Sequence, residues 1–172
     1  MVSHDILNIV EYSVMRSDVM AFTCEIKEMP VQQAMMIRTR TSVQNLPQTL
    51  GQCFGAVAQY LGELGEQPAG APFVAYHNMD MADLEIDAGF PVGKKLAGNG
   101  EIKHGQIPGG KTGTCLYTGP YQEMPPAYEA LTGLLADNKL EPSGIVYEMY
   151  LNSPMDTDPS KLQTLILFPL KN

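Results

Sequence analysis

Phe22-Thr23-Cys24-Glu25-Ile26-Lys27-Glu28 alternates apolar and polar side chains, the two-residue period of a half-buried strand. Pro30 interrupts it, and Val31 to Arg40 resumes as a second extended run. Asn45 then offers a helix cap and Pro47 suits a first helical turn. Leu50, Phe54, Val57, Leu61 and Leu64 recur at helical spacing and predict one buried stripe, stopped by Gly65 and Pro68. Pro72 to Asn78 is predicted as a third strand and roughly Leu84 to Ala88 as a fourth.

The same order returns downstream. Glu101 to Ile107 and Lys111 to Thr118 predict strands joined by the turn Pro108-Gly109-Gly110. Pro125-Pro126 opens a helix with Tyr128, Leu131 and Leu135 on one face, and Ile145 to Leu151 and Leu162 to Phe168 complete the unit. Pro30 and Pro108 are separated by the same interval as Pro47 and Pro125, and Phe90-Pro91 recurs as Phe168-Pro169 at that interval again. Gly70 and Gly144, Tyr76 and Tyr150, and Asn78 and Asn152 share an interval four residues shorter, which the loop Ser153 to Pro159 restores. Anchors in consistent order, with the length change confined to a loop, argue for duplication.

The expected fold class is therefore α+β: tandem strand-helix-strand-strand repeats related by a pseudo-twofold, an antiparallel sheet with the two main helices on one face and a ligand groove on the other. Repeat one spans about 22–92 and repeat two about 101–170, within a single domain over 22–172. Residues 1–21 have no counterpart and form an extension whose structure the pattern leaves open.

Composition narrows the function. Hydrophobic residues make up 44% of 172, enough for a core, and no apolar run approaches the length of a membrane span. The N-terminus lacks the basic start and apolar stretch of a secretory signal. Cys24, Cys53 and Cys115 are odd in number and scattered, which reads as reduced, buried thiols in a cytoplasmic protein rather than a disulfide set. His4, His77 and His104 show no ligand spacing, so no metal site and no cofactor are expected. A formal charge of −8 argues against direct nucleic-acid binding; it attracts cations, although the charge by itself is better accounted for by plain solubility.

One charge stands out. Glu148 lies inside Ile145-Val146-Tyr147-Glu148-Met149-Tyr150-Leu151. A carboxylate in such a run is costly to bury unless something positive meets it. Either it sits in water or pairs with an arginine such as Arg38 or Arg40, or it is the anionic floor of a pocket for a cation. Alternation puts Val146, Glu148 and Tyr150 on one face and the greasier Ile145, Tyr147, Met149 and Leu151 on the other, which is expected under the helix. Glu148 and Tyr150 then point to the open face. The repeat makes Tyr76 the mate of Tyr150 and Val74 the mate of Glu148, so only one copy carries the acid. Two tyrosines around one carboxylate suit a flat or bulky lipophilic cation.

Further short motifs keep the same order: Phe73-Val74-Ala75-Tyr76-His77-Asn78, Gly89-Phe90-Pro91-Val92, Leu116-Tyr117-Thr118-Gly119-Pro120-Tyr121, the Tyr-Glu-Met-Tyr-Leu strand, and Phe168-Pro169-Leu170. From about Phe22 to Leu170 the chain resembles the GyrI-like (gyrase-inhibitor-like) small-molecule-binding family, related to the effector-binding domains of AraC- and MerR-type multidrug-responsive regulators. The resemblance implies a central ligand cleft in which the acid matched by Glu148 meets the positive charge, with Tyr150, Tyr76 and, at the aromatic position before Gly-Pro-Tyr, Tyr117 around it. Only about twenty residues precede the matching region, too few for a DNA-binding domain, so a free-standing binder is expected.

The leading expectation is thus a cytoplasmic protein that binds hydrophobic cations. Two alternatives come from the same resemblance. One is a hydrolase of cyclopropane-bearing natural products, with Glu148 as general base and a tyrosine as proton donor; no residue is assigned as catalytic beyond that. The other is a protein partner, DNA gyrase or a DNA-binding regulator.

Overall fold

The computed structural model describes residues 21–171. The extension expected over residues 1–21 lies outside them, except that Ala21 opens the first strand. The elements run β1 (Ala21–Met29), β2 (Gln32–Thr41), α1 (Leu46–Glu63), β3 (Phe73–Tyr76) and β4 (Leu84–Val92), then β5 (Ile102–Ile107), β6 (Gly110–Thr118), α2 (Pro125–Asp137), β7 (Val146–Tyr150) and β8 (Gln163–Pro169). Among the described residues the architecture is mixed α+β with eight strands and two α-helices, and the order strand-strand-helix-strand-strand occurs twice.

Contacts divide the chain into two compact units that do not follow chain order. One comprises β1, β6, α2, β8 and β7 from Glu148 onward; the other comprises β2, α1, β3, β4, β5 and the start of β7. Strands follow the order β1-β6-β8-β7 in the first and β3-β4-β2-β5 in the second. Thus the first strand of each repeat pairs with the second strand of the other. Met29 faces Gly110 at the end of β1–β6, and Gln32 faces Ile107 at the start of β2–β5, both antiparallel. Pro30 sits where the chain passes from one unit to the other, and Pro108 sits beside the return passage. A proline cannot donate to a ladder, so it belongs at such a break.

Within each unit the helix covers one face of the strands. In the second unit Cys53, Val57 and Leu61 of α1 are buried, and Phe54 meets Phe90 of β4 edge-on at 5.8 Å. Leu64, expected in the same stripe, is 41% exposed because it is the C-cap residue. Asn45 holds the N-cap position, but its side chain makes no capping bond. In the first unit Ala127, Leu131, Leu134 and Leu135 of α2 are buried. Leu131 and Leu135 pack over Gly113 of β6, where a Cβ would lie 3.0–3.2 Å from their methyl groups.

The two β-hairpin loops are closed alike. Asn78 accepts from the Glu85 amide and donates to the Asp83 carbonyl; Asn152 accepts from the Gln163 amide and donates to the Lys161 carbonyl. These are the asparagines that the repeat spacing matched.

Both helices end in the same double turn. Glu66 N–H donates to the Leu61 carbonyl and Gly65 N–H to the Gly62 carbonyl; Leu140 donates to Leu135 and Lys139 to Ala136. The left-handed position is Gly65 (φ 71°) in one and Lys139 (φ 55°) in the other. A side chain there costs about 1 kcal/mol. Lys139→Gly is therefore expected to raise the melting temperature by about 2–4 °C, read by thermal denaturation; an unchanged or lower value would show that the Lys139 side chain contributes something the backbone argument omits.

Candidate functional site

Glu148 is the chemical centre of the first unit. It is 9% exposed at the middle of β7. Burial pushes its carboxyl above the ordinary range, and hydrogen bonds from Tyr128 and then Tyr150 pull the other way without restoring it. Tyr150 Oη donates to Oε1 at 2.8 Å, and Tyr128 Oη donates to Oε2. Among the described residues no lysine, arginine or histidine is ion-paired with it. Arg38 is bound to Asp87, and Arg40 to Asp83 and Glu85, so neither of these two arginines pairs with Glu148.

Tyr128 belongs to α2, which fixes the face. Its ring also packs 5.8 Å from Phe168 of β8. The face of β7 that carries Glu148 is therefore the one under α2, contrary to the expectation from the greasier side of the strand. Apolar count misled there because the helix supplies a hydroxyl as well as leucines, and that hydroxyl needs an acceptor. Tyr121, in a single 3₁₀ turn (Tyr121–Glu123) before α2, completes the aromatic shell; its ring meets that of Tyr150 edge-on at 5.6 Å. Burial first, and the Glu148 charge second, raise its hydroxyl pKa.

Tyr117 is anchored to backbone. Its side chain is fully buried and its hydroxyl donates to the Pro120 carbonyl at 2.6 Å. Burial, then the charge of Glu123, push its pKa up to about 12. Gly119 adopts φ 149°, and a Cβ there would lie 2.7 Å from the Tyr117 hydroxyl. The Gly-Pro-Tyr sequence thus makes a bend that only glycine allows, pinned by Tyr117, and the bend presents Tyr121.

Val74 and Tyr76 lie in the second unit and are both buried. Pairing with Ala88 and Ile86 puts them on the same face of β4 as Phe90, the face beneath α1. On the other face Asp87 accepts both Arg38 guanidinium bonds (2.8 and 3.1 Å) and one from His77 Nε2 (2.7 Å). Burial pushes Asp87 up, but the Arg38 and His77 hydrogen bonds outweigh it and leave the carboxyl below its usual range. The two buried acids are thus held in different ways, Asp87 by a guanidinium and an imidazole and Glu148 by neutral hydroxyls.

Among the described residues no group of three histidine, cysteine or acidic side chains is placed to hold a metal ion, and no helix is long and apolar enough to cross a membrane. An open cavity of about 390 Å³ is lined by Gly98, Asn99, Gly100, Ile102, Lys103 and His104. It is a surface turn with no buried charged group and shares no residue with the Glu148 cluster.

The GyrI-like small molecule binding domain family matches residues 22–171. The chain belongs to this family. No curated protein matches it. Among solved structures the chain is similar to EcmrR in its DNA complex (TM-score 0.76, 20% identity), with 88% of this chain covered but only 58% of that one, so it spans little more than half of EcmrR. It is also similar to SAV2435 bound to tetraphenylphosphonium (TM-score 0.62, 11% identity, 87% and 94% of the two chains). A hydrolase from Listeria innocua is comparably close (TM-score 0.62, 14% identity, 86% and 91%). At these identities the likeness is one of fold.

The sequence reading of this GyrI-like chain missed Tyr128 and Tyr121 as members of the Glu148 cluster. Tyr128 was placed in the apolar stripe of its helix, and that was itself the signal: a tyrosine in a buried stripe needs a partner for its hydroxyl, and the unpaired acid is the obvious one. Tyr128→Phe is expected to lower stability by about 1–2 kcal/mol in urea unfolding, because it leaves one oxygen of a buried carboxylate unsatisfied. A neutral outcome would show that the hydroxyl contributes nothing to holding the acid.

Proposed function

We propose that this chain binds lipophilic cations, with Glu148 as the anionic partner and Tyr121, Tyr128 and Tyr150 as the aromatic wall. One observation carries the reading: a buried carboxylate that is solvated only by tyrosine hydroxyls and has no basic partner among the described residues. Such an acid is costly in the ligand-free protein and gains most from an incoming positive charge. At about 5 Å and an effective dielectric near 20, that attraction is about 3 kcal/mol. Each tyrosine face adds about 0.5–2 kcal/mol. Because Glu148 is closed over, a bulky cation reaches it only as the rings of Tyr128 or Tyr150 swing aside, and the two hydroxyls keep the acid satisfied until then.

The fold neighbour SAV2435, bound to tetraphenylphosphonium, makes that compound the natural probe. Calorimetric titration is expected to give saturable binding of one cation per chain, with a rise in melting temperature. No binding and no shift up to millimolar tetraphenylphosphonium and rhodamine-type dyes would overturn the reading. The Listeria hydrolase of the same fold keeps a second reading in view, with Glu148 as general base; turnover of a strained cyclopropane substrate, absent in Glu148→Gln, separates it from simple binding.

A further inference from the structure

Cys24 of β1 and Cys115 of β6 face each other directly in the antiparallel register, and their sulfurs approach to 2.8 Å. Both are fully buried free thiols. Nothing in the binding reading uses them, and sequence spacing gave no hint of the pair, which is separated by 91 positions along the chain. Directly opposed residues of an antiparallel strand pair have Cα atoms about 4.5–5.5 Å apart, within the range that a disulfide spans. Whichever of the two ionises first accepts the remaining S–H of the other, so the pair also favours the thiolate that the chemistry requires.

We propose that Cys24 and Cys115 form an oxidisable dithiol site whose disulfide fastens β1 to β6. Among the described residues β1 stands at the end of its strand order, with β6 as its neighbour. An end strand opens at lower free energy than central ones, and that opening admits the oxidant. With glutathione disulfide the step balances. The first thiolate attacks one sulfur, the glutathione S–S bond breaks and one glutathione thiolate leaves. The second cysteine thiolate then attacks the mixed disulfide and expels the other. The protein loses two electrons and two protons, and two reduced glutathiones form. The new bond closes a long loop, which restricts the unfolded chain far more than the folded one. Cys53 takes no part: it lies buried on α1 in the other unit.

The test uses the full chain in two ways. Native protein is exposed to glutathione disulfide, and denatured protein is refolded in a mixed glutathione buffer. Remaining thiols are alkylated after an acid quench and the peptides mapped by mass spectrometry. The expected product is lighter by two hydrogen atoms, links the Cys24 and Cys115 peptides, carries its alkyl group on Cys53, and melts above the reduced protein. Cys53→Ser is expected to keep the shift and Cys24→Ser to lose it; should Cys24→Ser fold poorly, Cys115→Ala reads the same loss. Three alkylated cysteines in both arms, stable glutathione adducts, or a link through Cys53 would overturn the proposal. A Cys24–Cys115 disulfide that lowers the melting temperature would overturn the fastening role.

Discussion

Replacing Glu148 by glutamine is expected to weaken tetraphenylphosphonium binding about a hundredfold, the loss of most of a Coulomb attraction of about 3 kcal/mol, and at the same time to make the ligand-free protein more stable at neutral pH. The two effects share a cause. The carboxyl is held above its usual pKa by burial, so the folded state binds its proton more tightly than the unfolded state does. A group raised in this way contributes stability that is fully present below its unfolded pKa and lost as pH rises through the folded value. Above that value the wild type carries the expense of an ionised buried acid, and the glutamine variant does not. The two melting curves should therefore converge at acidic pH and separate as pH rises. Asp87 acts with the opposite sign: its lowered pKa contributes stability above the unfolded value, lost as pH falls through the folded one. Both proteins should accordingly soften at the acid end, through Asp87 and the other carboxylates they share. Calorimetric titration and melting curves across pH check both halves. Unaltered cation affinity in Glu148→Gln would remove Glu148 from the binding site; a less stable variant would mean that its charge is compensated in the ligand-free protein.

Gly89→Ala is expected to have the largest effect on folding, a loss of about 3 kcal/mol or more in denaturant unfolding. Gly89 lies in the interior of β4, between Met36 on β2 and Phe73 on β3. A Cβ there would stand 1.9 Å from the Met35 carbonyl oxygen and 2.7 Å from the Met36 Cα. These are backbone atoms of a paired strand and cannot rotate away, so the methyl group would have to force β2 and β4 apart. The contrast with Gly105 is instructive. A Cβ at that position would meet the Met36 side-chain tip at 1.8 Å, which is closer still, but a methionine end can swing aside. Gly105→Ala is thus the matched control, with a loss of less than half that of Gly89→Ala. Similar losses for the two would show that the strand pair, rather than the methionine, gives way.

Much of this fold was legible in the chain because each element carried its own punctuation. Alternation marked β1, Pro30 and Pro108 marked the breaks, and Gly65 ended α1; strand limits came within a few residues, though β4 ran on through Gly89-Phe90-Pro91-Val92 beyond the predicted Ala88. Glu148 was legible as an anomaly, since a charge in an apolar strand contradicts its surroundings. What alternation could not tell was which face the helix covers. That depends on long-range packing, and the polar tip of Tyr128 reversed the answer suggested by Tyr147 and Met149. The contact between Cys24 and Cys115 was hidden for a related reason: pairing of β1 with β6 joins segments 91 positions apart in the chain, and nothing local announces it.

The crossed pairing of first strands has a consequence for ancestry. A polypeptide bearing a single repeat would leave the partner edges of its two leading strands open, a geometry that invites pairing with any identical neighbour. Reciprocal donation between two copies satisfies both edges, so the natural state of such a half is a domain-swapped homodimer. Were the two halves copies of one unit, joining them in one chain would make that association independent of concentration and would free one half to carry an acid that the other lacks.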